Sequence, residues 1–119
     1  MTLFSKSLSH SDRTQKLSIP IDWLGSLLPS IEQNSEATIS VVERNGAEYC
    51  FVLRTRNRPH LKPVFQSHGW LQFVRARQLQ VDDTVYFWKE RRGNEDIIGV
   101  QVRDRPNITF LMGHAIAFN

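Results

Sequence analysis

The segment Leu3 to Leu8 alternates, with Leu3, Ser5 and Ser7 set against Phe4, Lys6 and Leu8, the pattern of a short half-buried strand. After the polar loop from Ser9 to Lys16 comes a stub of strand, Leu17-Ser18-Ile19, ended by Pro20, which has no amide for a ladder. Asp22 can cap a short helix carrying Trp23, Leu24, Leu27 and Leu28, with Pro29 as its stop. Two strands, Ala37 to Glu43 and Glu48 to Leu53, flank Asn45-Gly46, a dipeptide suited to a tight hairpin turn. Pro63 to Gln66 reads as a further short strand. Trp70, Phe73 and Val74 then fall at helical spacing, with Arg75 and Arg77 expected on the solvent side. Strands Thr84 to Glu90 and Asp96 to Arg103 flank Arg92-Gly93-Asn94, and Asn107 to Asn119 is expected to add one strand or a tail.

About seven short strands and two short helices without a βαβ rhythm indicate a mainly β (α+β) fold, an antiparallel or open barrel, rather than a doubly wound sheet. The 119 residues suit one domain, placed at 1–105, with 106–119 as a C-terminal strand or tail. No internal repeat is present. Hydrophobic residues make up 40% and charged residues 23%, an ordinary globular balance.

Charge changes this picture. The net charge of +3 is mild, but between Tyr49 and Val81 there is no acidic residue, against Arg54, Arg56, Arg58, Lys62, Arg75 and Arg77. Arg54, Arg56, Arg58, His60 and Lys62 recur every second residue, which in extended chain places them on one face, broken locally by Pro59. A second polar and basic stretch, His10-Ser11-Asp12-Arg13-Thr14-Gln15-Lys16, offers arginine for guanine, glutamine for adenine, and lysine and hydroxyls for phosphate. Two such stretches point to a polyanion.

Other chemistries find little support. The lone Cys50 lies in an apolar run and reads as a small core residue; His10, His60, His68 and His114 have no zinc-site spacing. There is no phosphate-cradling glycine loop and no Gly-x-Ser-x-Gly elbow, so no enzyme, cofactor or small-molecule substrate is expected. Asp82-Asp83 reads as a turn-and-cap pair, and Trp70 and Phe73 as core. No secretory leader or membrane span is apparent, since the longest apolar stretch, Ile108 to Phe118, falls short of about 20 residues.

Three ordered blocks carry a resemblance. They are Leu3-Phe4-Ser5-Lys6-Ser7-Leu8-Ser9-His10-Ser11-Asp12 with Leu17-Ser18-Ile19-Pro20; Gly69-Trp70-Leu71-Gln72-Phe73-Val74; and Leu79-Gln80-Val81-Asp82-Asp83-Thr84-Val85-Tyr86-Phe87. Together, over Leu3 to Arg103, they resemble the plant B3 DNA-binding domain family. The resemblance implies a seven-stranded open pseudobarrel with two helices, a DNA-binding pseudobarrel that acts in transcriptional regulation in the nucleus as a monomeric domain. It also implies two arms in the major groove of double-stranded DNA. The N-arm would comprise Ser11, Arg13, Thr14, Gln15 and Lys16, with Lys6 close to a phosphate; the C-arm would comprise Arg56, Arg58, His60 and Lys62. The first loop is shorter than in the auxin-response class and lacks its His-Gly-Gly run, which points instead to the reproductive-meristem or single-domain type. Asp82 stands where the family pattern has glycine, and Pro63 where several members have a polar or basic residue. Two alternatives share this reading of the residues: the effector DNA-recognition domain of a restriction endonuclease, and a degenerate member serving as a protein-interaction module.

Overall fold

The computed structural model describes residues 2–57, 60–102, 107–111 and 114–118. Seven strands form one sheet: β1 (Phe4–Ser7), β2 (Leu17–Ser18), β3 (Glu36–Glu43), β4 (Glu48–Arg54), β5 (Val64–Phe65), β6 (Thr84–Arg92) and β7 (Glu95–Val102). Their order is β1-β6-β7-β3-β4-β5-β2, so the two strands nearest in sequence to the N-terminus lie at opposite edges. Neighbours pair antiparallel except β3 and β7, which run parallel through Val41↔Ile98 and Val42↔Gly99. The sheet is therefore mixed, which strand periodicity did not show.

Turn chemistry sets the two long hairpins. In the β3–β4 turn Gly46 takes φ +96°, its N–H donates to the Glu43 carbonyl at 2.8 Å, and Asn45 Oδ1 accepts from the Ala47 N–H at 2.9 Å. Arg92 pairs with Glu95 across a two-residue loop whose first position, Gly93, has φ +61°. Glycine there suits a turn whose twist matches the strands.

Two helices are described, one where the spacing placed it and one elsewhere. The shorter, α1 (His10–Thr14), lies inside the segment read as a loop. The Asp22 segment forms only a 3₁₀ turn, Ile21–Trp23, because the chain folds back at Gly25 (φ +82°), whose N–H donates to the Leu28 carbonyl at 2.7 Å. The longer helix, α2 (Ser67–Ala76), carries Trp70, Phe73 and Val74 on its buried face as the spacing predicts. Arg75 is exposed, but Arg77 turns inward: its Nε lies 3.1 Å from the carboxylate of Glu43, which is 3% exposed. The segment 107–119, read as one strand or a tail, includes two strands, β8 (Asn107–Leu111) and β9 (His114–Phe118), paired antiparallel with each other in a separate two-stranded sheet.

The core is aromatic. Phe51, Phe65, Phe73, Phe87 and Trp70 are completely buried, with edge-on contacts such as Phe51–Trp70 at 5.7 Å and 82° and Trp23–Phe87 at 5.6 Å and 62°. Cys50 is exposed rather than core, because strand alternation in β4 gives the inner face to Phe51 and Leu53 and the outer face to Cys50 and Arg54. α2 approaches β4 so closely that a Cβ at Gly69 would stand 2.0 Å from the Cys50 carbonyl oxygen. Since that obstacle is backbone, Gly69→Ala is expected to destabilise the domain by about 3 kcal/mol, read as a lower urea midpoint at unchanged m-value.

Candidate nucleic-acid interface

The first arm is built around a buried carboxylate. Ser9 and Asp12 form a reciprocal capping box for α1: Asp12 N–H donates to Ser9 Oγ at 3.1 Å, and Ser9 N–H donates to Asp12 Oδ2 at 2.9 Å. Asp12 is 1% exposed and accepts two further bonds at Oδ1, from the Lys6 ammonium at 3.1 Å and from the Ser18 N–H at 3.1 Å. Its carbonyl accepts the Trp70 indole N–H at 2.6 Å. Lys6 also donates to the Ser18 carbonyl. Because Lys6 belongs to β1 and Ser18 to β2, this cluster bridges the two edges of the sheet that make no ladder with each other.

Each residue expected in the first arm has a definite place. Lys6 is half-buried and turned onto Asp12, so its charge holds the arm. Arg13 is half-buried, with Nε donating to the Leu79 carbonyl at 2.9 Å. Thr14 Oγ1 donates to the His10 carbonyl one turn back at 2.9 Å. Ser11, Gln15 and Lys16 are exposed.

The second arm leaves β4 at Arg54 and returns to β5 at Val64. Arg56 N–H donates to the Leu61 carbonyl at 2.6 Å, which pinches the base of the excursion. Arg56, His60 and Lys62 are exposed, with Lys62 at φ +42°. Arg58 lies outside the described residues.

Both arms meet at one open concavity of about 610 Å³, where Lys16 of the first faces Arg54, Arg56 and Lys62 of the second. Among the described residues no carboxylate lines it. Three carboxamides do: Asn34, Asn57 and Gln66. Arg54 belongs to the basic stripe in the sequence but not to the arm that the family resemblance implies. Its pairing with Glu36 at 3.2 Å is exposed on both sides and weak. Asn34 and Gln66 carry no charge or spacing that could have marked them, and only tertiary contacts bring them here.

The B3 DNA binding domain model matches residues 4–106. The chain belongs to the B3 DNA-binding domain family. The B3 domain is similar to Auxin response factor 10 of Oryza sativa, from both the indica and japonica subspecies, with 29% identity over 100 residues. That match takes in 78% of this chain but 14% of the rice proteins, so the likeness concerns one domain of a longer factor. Among solved structures the domain resembles an Arabidopsis FUS3–DNA complex, with a TM-score of 0.70, 22% identity and coverage of 82% of this chain and 94% of that one. It also resembles a hypothetical Arabidopsis thaliana protein, with a TM-score of 0.54, 18% identity and coverage of 86% and 89%. The B3 family is one of DNA-binding modules, and these relatives are plant proteins. Among the described residues no His, Cys, Asp and Glu cluster could hold a metal, and no helix is long and apolar enough to cross a membrane.

In this domain Asp12 has a titration signature. Burial would raise its pKa, but the Ser9 and Ser18 amides and the Lys6 ammonium outweigh burial and hold it below the ordinary 3.8. A carboxylate with a depressed folded pKa stabilises the fold above its unfolded value, and that contribution disappears as pH falls through the lower, folded value. Urea titrations at stepped pH should therefore show a stability loss below about pH 4 that is missing in Asp12→Asn. At neutral pH, Asp12→Ala is expected to lose about 3 kcal/mol, because it strands Lys6 and two backbone amides.

Proposed function

We propose that the B3 domain reads sequence in the major groove of duplex DNA by inserting both arms into one groove, and that it does so in the nucleus as part of transcriptional regulation. The observation that carries this is the concavity in which cations from two distant chain segments converge, with no carboxylate among its described lining residues. Such a surface attracts a polyanion from any direction. Its depth and its carboxamides suit a partner that offers base edges as well as phosphates.

Within this reading the roles divide by how free each side chain is. Lys16 and Lys62 are exposed and hold phosphates. Arg56 of the C-arm is exposed and presents its guanidinium fork to guanine, and Arg58 and His60 are assigned to the same base-reading role. Ser11, Thr14 and Gln15 complete the N-arm surface. Arg13 keeps Nε on Leu79, leaving its terminal nitrogens for a base or phosphate on the same side. Lys6 acts from behind, by fixing Asp12 and hence the arm. Nothing in this arrangement needs a reacting group, and the domain works by binding alone.

Selection from a randomised duplex library at about 50 and 200 mM salt should return a short motif, bound with affinity that falls steeply as salt rises. Lys16→Ala and Lys62→Ala should weaken all sequences alike and shallow the salt slope by about one unit each. Arg58→Ala should cost about 1–3 kcal/mol and relax preference at one position. Salt-sensitive binding without a motif would make the arms phosphate clamps, and absence of binding at low salt would identify a protein-interaction module.

A further inference from the structure

The connector of residues 29–35, between the 3₁₀ turn and β3, belongs to neither arm, yet it is fastened to the root of the second. Thr55 does the fastening. Its Oγ1 donates to the Glu32 carbonyl at 2.5 Å and accepts from the Ser35 N–H at 3.2 Å, while its own N–H donates to the Ser35 carbonyl at 3.0 Å. Thr55 is 1% exposed, so its own hydroxyl is shielded from water and depends on these bonds. A fourth bond, from the Asn34 N–H to the Arg56 carbonyl at 3.1 Å, ties the connector directly to an arm residue.

Asn34 is held at φ +53°, a left-handed conformation that asparagine tolerates better than other residues with a side chain. It is exposed on the wall of the cationic concavity, beside Lys16, Arg56 and Lys62. Among the described residues nothing engages its carboxamide.

We propose that Asn34 is a third base-reading element of the DNA site, set in place by Thr55. This rests on the arms entering a major groove as described above. A carboxamide donates and accepts side by side, the complement of the N6 and N7 edge of adenine. It is neutral, so in a cavity already holding four cations it adds little to phosphate attraction. Selectivity is what it supplies. Thr55 is a positioning residue: at the floor of the concavity it is 1% exposed, and it acts through the connector.

The test compares wild type with Asn34→Gly, which keeps the left-handed backbone without strain while deleting the carboxamide. Thr55→Val and Thr55→Ser complete the set. Each is measured across a randomised duplex library and, on the recovered site, as a function of salt. Asn34→Gly should lose preference at a single adenine position by roughly 5- to 100-fold with an unchanged salt slope. Thr55→Val should show the same loss at the same position, and Thr55→Ser, which keeps the hydroxyl, should retain it. Uniform weakening of all sequences by Asn34→Gly would make it a backbone contact and overturn the assignment. A wild-type motif left unaltered in Asn34→Gly would overturn the third element alone, whereas a wild-type domain that binds without any motif would overturn the major-groove reading along with it.

Discussion

The Asp12 carboxylate closes the barrel's open seam. β1 and β2 are the edge strands of the sheet and share no ladder, so backbone hydrogen bonding alone leaves the gap between them unbridged. Asp12 spans it by accepting from Lys6 on one edge and Ser18 on the other, while its second oxygen caps the helix that runs between them. A buried carboxylate is costly unless its lone pairs are used, and here three donors, the Lys6 ammonium and the Ser9 and Ser18 amides, offset much of that cost. The same residue, through its carbonyl, takes the indole N–H of Trp70 and so joins the seam to α2.

From this seam the division of labour among the basic residues follows. Lys6 balances a buried negative charge, and Arg13 spends Nε on the Leu79 carbonyl, so each is partly committed to holding the arm. Lys16, Arg56 and Lys62 have no such duty and stand exposed around one concavity. A surface that concentrates like charges repels itself, and it is tolerated because the framework beneath is rigid. Each arm has its own pin: the capping box beneath the first, and the Arg56–Leu61 bond with Thr55 beneath the second.

The core supplies that rigidity through close approach rather than through size. Gly69 lets α2 lie against the β4 backbone, and Gly99 accommodates the face of Trp88, where a Cβ would stand 2.1 Å from the ring. Glu43 and Arg77 fasten the far end of α2 to β3. The helix is thereby held at both ends, at Trp70 by the first arm and at Arg77 by the sheet, and the two arms inherit a common reference.

Local patterning alone determined the seven strands, the α2 face, the Asn45-Gly46 and Gly93 turns and the asymmetry of charge, because each depends on residues close together in the chain. Asp82, which stands where the family pattern has glycine, takes φ +74°, a left-handed conformation that its residue type did not announce. Tertiary structure decided what depends on partners far apart. The capping box at Ser9 and Asp12 was overlooked because the surrounding polar residues hid a five-residue helix, and Gly25 overrode the helical spacing of Trp23 and Leu27. The parallel β3–β7 pair, the exposure of Cys50 and the inward turn of Arg77 likewise rest on neighbours that no short window contains. Above all, the basic period of two named the cations, but only the folded sheet set Asn34, Gln66 and Lys16 beside them, since a binding surface is assembled from segments whose separation in sequence carries no information about their distance in space.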